Sequence, residues 1–235
     1  MKRILLLLLP CFMALMANAA PMTEEGRVKN QEDPTKIVTR LGAGYDGDLT
    51  INGSLGLDEA RMITGLTNTD GSEWRIGGSW LFEKGIVNFN LKKNQYDDGG
   101  ESTSYNLGTF VPLSVFGIEP AGWQIFPAFG YNYTEGDIVV NLDPSIGSNP
   151  LLMPIESHGG YLGVFTLKPL TDSWTLMLGG GGSMGSNDTN NGYVGGGVSY
   201  RINSNQSVNA FALVSDSNQF GTKEVYSMSY RYEFF

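Results

Sequence analysis

The ten residues from Tyr226 to Phe235 constrain the fold more than any other stretch. Tyr226, Met228, Tyr230, Tyr232 and Phe234 alternate with Ser227, Ser229, Arg231 and Glu233. Period-two alternation places the large residues on one face of a β-strand and the polar ones on the other. A soluble sheet seldom presents such a ladder of tyrosines to water, so one face is expected to meet hydrocarbon and its interface. The chain stops on an aromatic residue, Phe235.

This ending resembles the C-terminal signature of Gram-negative outer-membrane β-barrel proteins, the porin-like class. In that class the last strand ends in Phe and is recognised during insertion. The resemblance implies that the barrel-insertion machinery is a partner of this strand. It also implies outer-membrane lipid and lipopolysaccharide as surroundings. Glu233 stands where the class usually has a second aromatic, and the ladder sits one residue earlier.

The start of the chain points to the same compartment. Lys2-Arg3, an apolar run from Ile4 to Met16 and the small-x-small pattern Ala17-Asn18-Ala19 read as a secretory signal peptide over residues 1–19. The run is too short for a spanning helix. Cys11, the one cysteine, lies within it, so no disulfide, thiol nucleophile or Cys-ligated metal is expected in the mature chain. Loss of Lys2 and Arg3 takes the formal charge from -9 to -11, which argues against a nucleic-acid partner. Residues 20–35, with Glu24, Glu25, Glu32, Asp33 and Pro34, lack periodicity and read as a flexible periplasmic tail.

From residue 36 to 235, strand-length alternating segments recur between turn residues. Ile37, Thr39, Leu41, Ala43 and Tyr45 share one face, and Asp46-Gly47-Asp48 turns the chain towards Leu49, Ile51, Leu55 and Leu57. Next comes a weaker strand, with Met62, Thr64 and Leu66 set outward and Arg61 inward. Outward sets follow at Trp74–Phe82, Val87–Leu91, Tyr105–Leu113 and Trp123–Tyr133, then at Tyr161, Phe165 and Leu167. Trp174–Met184 and Val194–Ile202 precede a strand near residues 207–215 that leaves both faces open. The pattern predicts an all-β, antiparallel transmembrane barrel of meander topology. It has twelve strands, or ten if residues 37–57 lie outside it. An even count puts both termini in the periplasm, with the short turns there and the longer loops, chiefly Thr134–Glu156, outside. Two aromatic belts result. Trp80, Trp123, Trp174, Tyr232 and Phe234 lie near one rim, and Tyr45, Trp74, Tyr105, Tyr131, Tyr133 and Tyr226 near the other. A soluble sandwich or lipocalin-like barrel with those residues in its core is the competing architecture.

The other face supplies the functional expectation. Strand parity turns Arg40, Arg61, Arg75, Lys92, Lys168, Arg201 and Arg231 inward with Glu73 and Glu233, giving a basic lumen that favours small anions. The expected function is porin-like transport or binding of small polar or anionic solutes by a monomer. The alternative is a closed structural or adhesive barrel, its arginines cross-linking the interior and its outer loops binding a partner. Gly179–Gly182 and Gly195–Gly197 lack the Lys-Ser/Thr of a phosphate loop, and glycine there fits bends and aromatic covering instead. A third reading, an outer-leaflet lipid hydrolase, would have to use His158, the one histidine. Ser157 is its sequence neighbour, so in a strand the two point to opposite faces. Outer-membrane lipid hydrolases resemble this in carrying Ser and His near the outer leaflet, but two apart on one face; the omptin-like protease pattern has an Asp two residues before its His, where Glu156 stands here. The chain is therefore read as no enzyme, with no cofactor and no metal.

Overall fold

The computed structural model describes residues 29–95, 100–140, 151–186, 188–218 and 221–234. Residues 1–28, which include the whole signal-peptide assignment, and Phe235 lie outside these. Twelve strands run in chain order: β1 (Thr39–Tyr45), β2 (Leu49–Gly56), β3 (Arg61–Asn68), β4 (Glu73–Phe82), β5 (Gly85–Gln95) and β6 (Glu101–Phe110), then β7 (Gln124–Val140), β8 (Leu151–Pro169), β9 (Trp174–Gly185), β10 (Asn190–Arg201), β11 (Gln206–Ser217) and β12 (Gly221–Phe234). Each pairs antiparallel with its sequence neighbours, and β1 closes on β12 through Arg40 opposite Glu233 and Tyr45 opposite Met228. The hairpin at Asp46-Gly47-Asp48 is part of the barrel, with Gly47 at φ 119°, a conformation open to glycine and strained for other residues. The count is twelve because residues 37–57 supply both β1 and β2. No edge is left unpaired, as a sheet in lipid requires.

β1 begins and β12 ends at one end, here termed the base. Outward side chains are apolar and bare: Leu41, Ile76, Trp80, Leu162, Val194 and Tyr226 are all more than half exposed. Such a girdle of exposed leucine, isoleucine and aromatic rings is the lipid-facing wall of a membrane barrel. All the belt residues on strands lie on this outer face by register; Trp123 immediately precedes β7.

Two strands face the other way from the sequence expectation. On β3, Met62, Thr64 and Leu66 point inward, opposite Gly56, Ser54 and Asn52, so Arg61 points out with Ile63. On β8, Tyr161, Phe165 and Leu167 point inward, opposite Gly130, Phe126 and Gln124, so Lys168 points out opposite Leu176. The reason is the same in both. The base of the lumen holds an apolar core, made by Ile37, Met62, Leu81 and Ile86 on one side and by Phe126, Leu167 and Met177 on the other; Phe110 packs against both groups. An inward strand face can therefore be as greasy as an outward one. Ile37 joins this core and does not continue the outer face of β1. On β11, Val208, Ala210, Ala212 and Val214 are outward, with Phe211 and Leu213 inside.

Connections differ too. Residues 134–140 and 151–156 of the supposed longest loop are β-ladder, with Val140 opposite Leu151; residues 141–150 lie outside the described set. β6 stops at Phe110, and the chain passes to its neighbour β7 at the base through two 3-10 turns, Leu113–Phe116 and Pro120–Gly122.

Candidate functional site

The site is the lumen, and its least expected part is the segment before β1. Of the tail assigned to residues 20–35, residues 29–35 are described, and they are folded inside the base of the barrel. The local cause is a pair of side-chain-capped turns. Asn30 Oδ1 accepts from the Glu32 amide (2.9 Å), and Asp33 Oδ1 accepts from both the amide and the hydroxyl of Thr35 (2.7 Å each). Asn and Asp favour such turns because the short side chain bonds its own backbone two residues on. Lys29 Nζ donates to Thr35 Oγ1 across the turns (2.9 Å), and Thr35 is fully buried.

The turns carry Glu32 to the inner wall. Its carboxylate accepts from Arg231 Nη1 (2.6 Å), Ser199 Oγ (3.0 Å) and Asn209 Nδ2 (3.1 Å), so three strands grip one side chain. Gln31 Nε2 donates to the Ser204 carbonyl (2.9 Å), Asn30 Nδ2 to Thr175 Oγ1 (3.1 Å) and Lys36 Nζ to Glu233 (2.6 Å). Ile37, a few residues on, packs with Met62, Leu81 and Ile86. In a closed ring of twelve strands β4 and β10 stand opposite each other. The segment bonds Ser199 on β10, and Ile37 joins the apolar cluster that includes Leu81 on β4, so residues 29–37 reach across the bore.

Towards the far end the lumen is polar. Lys92 Nζ meets Glu73 Oε1 at 2.9 Å, and Arg75 Nη2 meets the same oxygen at 4.0 Å. Ser104 and Thr134 share a hydrogen bond (2.9 Å), and the Tyr161 hydroxyl donates to Asn106 Oδ1 (3.4 Å). Tyr161 lies against the wall over Gly108 and Gly130, where a Cβ at either position would overlap its ring or hydroxyl; Phe211 covers Gly195 and Gly197 in the same way. Glycines opposite inward aromatics let the rings lie flat along the barrel wall.

Five of the seven basic residues expected inside are there: Arg40, Arg75, Lys92, Arg201 and Arg231. Glu73 and Glu233 face inward as expected, and Glu32 is the acid that sequence reasoning missed. Arg61 instead caps the rim of the base. Its Nε donates to Asp58 Oδ2 at 2.6 Å, and this bond is the largest cause of an Asp58 carboxyl held below the usual range. Lys168 Nζ donates to the Ala121 carbonyl, also outside the lumen. His158 is outward, its ring 6.2 Å from Tyr131, whereas Ser157 is inward. The two residues thus lie on opposite faces, as strand parity expects. Among the described residues, no helix is long and apolar enough to cross a membrane, a statement that leaves spanning strands untouched.

No family model and no curated protein matches this sequence. Solved structures do. The translocator domain of autotransporter NalP from Neisseria meningitidis aligns with a TM-score of 0.52 at 13% identity, covering 83% of this chain and 86% of that one. The KdgM porin in complex with disordered oligogalacturonate aligns at 0.48 and 9% identity, covering 85% and 100%. The NanC porin aligns at 0.45 and 11%, covering 84% and 99%. With its closure, its bare apolar girdle and its polar far lumen, the chain has the fold of outer-membrane β-barrels. At these identities the likeness is one of fold alone.

Proposed function

We propose that this chain is a monomeric outer-membrane barrel, exported by its signal peptide and inserted through its C-terminal strand, that passes small polar solutes through a bore stoppered at its periplasmic base. The observation that carries the reading is the grip of Arg231, Ser199 and Asn209 on Glu32, which holds residues 29–38 across the bore. The inward cations Arg40, Arg75, Lys92 and Arg201 favour anions once the path is open. The role is transport, with no catalytic step and no cofactor; lipid and lipopolysaccharide cover the outer girdle.

Planar-bilayer recording tests this with two purified proteins: the full mature chain, and a chain whose mature sequence begins at Lys36. The full chain is expected to show small, infrequent steps. The shortened chain is expected to show larger, persistent ones with an anion-selective reversal potential. If both stay silent, the barrel is a closed structural one and the transport reading fails. A strongly cation-selective open channel would overturn the lumen electrostatics.

A further inference from the structure

A second polar feature of the base is not absorbed by the stopper. At the base, where Asn30 of the segment meets the β8–β9 turn, lies a partly open pocket of about 250 Å³ whose polar lining is Asn30, Gln124, Thr171, Asp172, Thr175 and Arg201, with Thr171 and Asp172 exposed on the turn. Three of these residues are already engaged: Asn30 with Thr175, and Thr171 Oγ1 with the amides of Ser173 and Trp174. The other three are not. Among the described residues Arg201 and Asp172 enter no ion pair, with each other or with anything else. Gln124 Oε1 is a buried acceptor with no hydrogen-bond partner. An unmet buried acceptor is costly, and native proteins usually satisfy one by water or by a ligand.

The charges select among ligands. A simple anion drawn to Arg201 also meets the Asp172 carboxylate, and a simple cation drawn to Asp172 meets the guanidinium. A molecule carrying both charges satisfies both groups. Its ammonium has N–H bonds to spare for Gln124 Oε1, which accepts only. We propose that this basal cavity is a binding site for a small zwitterion of free α-amino-acid type, with its carboxylate on Arg201 and its ammonium on Asp172 and Gln124. The volume admits such a molecule. The site does not depend on the stopper's conductance, because it is read from equilibrium binding to the closed barrel.

The test is ligand-detected NMR titration of the purified full chain in detergent with L-alanine, acetate and methylammonium. L-alanine is expected to bind saturably, and each single-charge probe at least about tenfold more weakly, since each forfeits one charge-assisted contact. Arg201→Gln and Asp172→Asn are each expected to weaken L-alanine by a similar factor. Neither side chain enters an ion pair among the described residues, and a retained β-sheet circular dichroism spectrum verifies that each variant folds. Acetate binding as tightly as L-alanine would overturn the zwitterion assignment. So would L-alanine binding that neither variant alters, or no saturable binding at all.

Discussion

Glu32→Gln is the sharpest perturbation of the stopper, because it removes a charge and keeps the shape. The Glu32 side chain is 4% exposed and its partner Arg231 26% exposed. Leaving one member of a fully buried ion pair without the other costs about 3–5 kcal/mol, whereas an exposed pair contributes about 0–1 kcal/mol. Arg231 retains some water, so the clasp is worth about 2–3 kcal/mol to the seated segment. At about 1.4 kcal/mol per tenfold, release of the segment should rise roughly 30- to 150-fold. A cysteine at Thr35, a position with no exposure in the seated state, reports release by its rate of maleimide labelling in a chain lacking Cys11. When closing outruns labelling, that rate follows the released population. Labelling of the Glu32→Gln protein within about threefold of the parent, equivalent to less than about 1 kcal/mol, would refute the clasp.

Two further outcomes follow from the wall. Gly108→Ala drives a methyl into the Tyr161 hydroxyl and should lower folding stability by about 1–3 kcal/mol, read as a reduced urea midpoint; adding Tyr161→Phe should recover part of it. Glu73→Gln should leave stability within about 1 kcal/mol, since the pair with Lys92 is partly exposed. In the shortened, open chain it should shift the reversal potential further towards anions, because Lys92 and Arg75 lose their shared carboxylate.

Which parts of this molecule are readable in the sequence follows from the range of the forces involved. Alternation at Tyr226–Phe234 and the turn at Asp46-Gly47-Asp48 are local, and both are found as read. The faces of β3 and β8 are not local. Met62 turns inward because Ile37, Leu81 and Ile86 wait there, and Leu167 because Phe126 and Met177 do. A period-two pattern names two faces but does not say which is wet when both hold large apolar residues. Strand parity therefore puts Lys168 and Arg61 on the wrong face together with their strands. The place of Glu32 is hidden for a different reason. Its partners Ser199, Asn209 and Arg231 are more than 160 positions away, and its own surroundings, Asn30–Pro34, have the composition of a tail. The available signal was the pair of Asx turns, a feature that a free tail has little use for.

The two halves of the lumen differ in a way that limits where any gate can sit. At the far end polar side chains line the wall and Tyr161 lies flat over glycine, so water has polar partners. At the base, Ile86, Leu167 and Phe126 are almost wholly buried, and Phe110 bridges the two apolar groups. Moving those wall residues would open cavities costing several kcal/mol each and disturb strands locked by the ladder. Moving residues 29–36 breaks polar contacts, among them the pairs Glu32–Arg231 and Lys36–Glu233, and exposes Gln31, Glu32 and Thr35, but it disturbs no strand pairing and leaves groups that water can satisfy. The segment is therefore the cheapest element of the base to displace. Under the proposed transport role, opening depends on Glu32 before it depends on the wall.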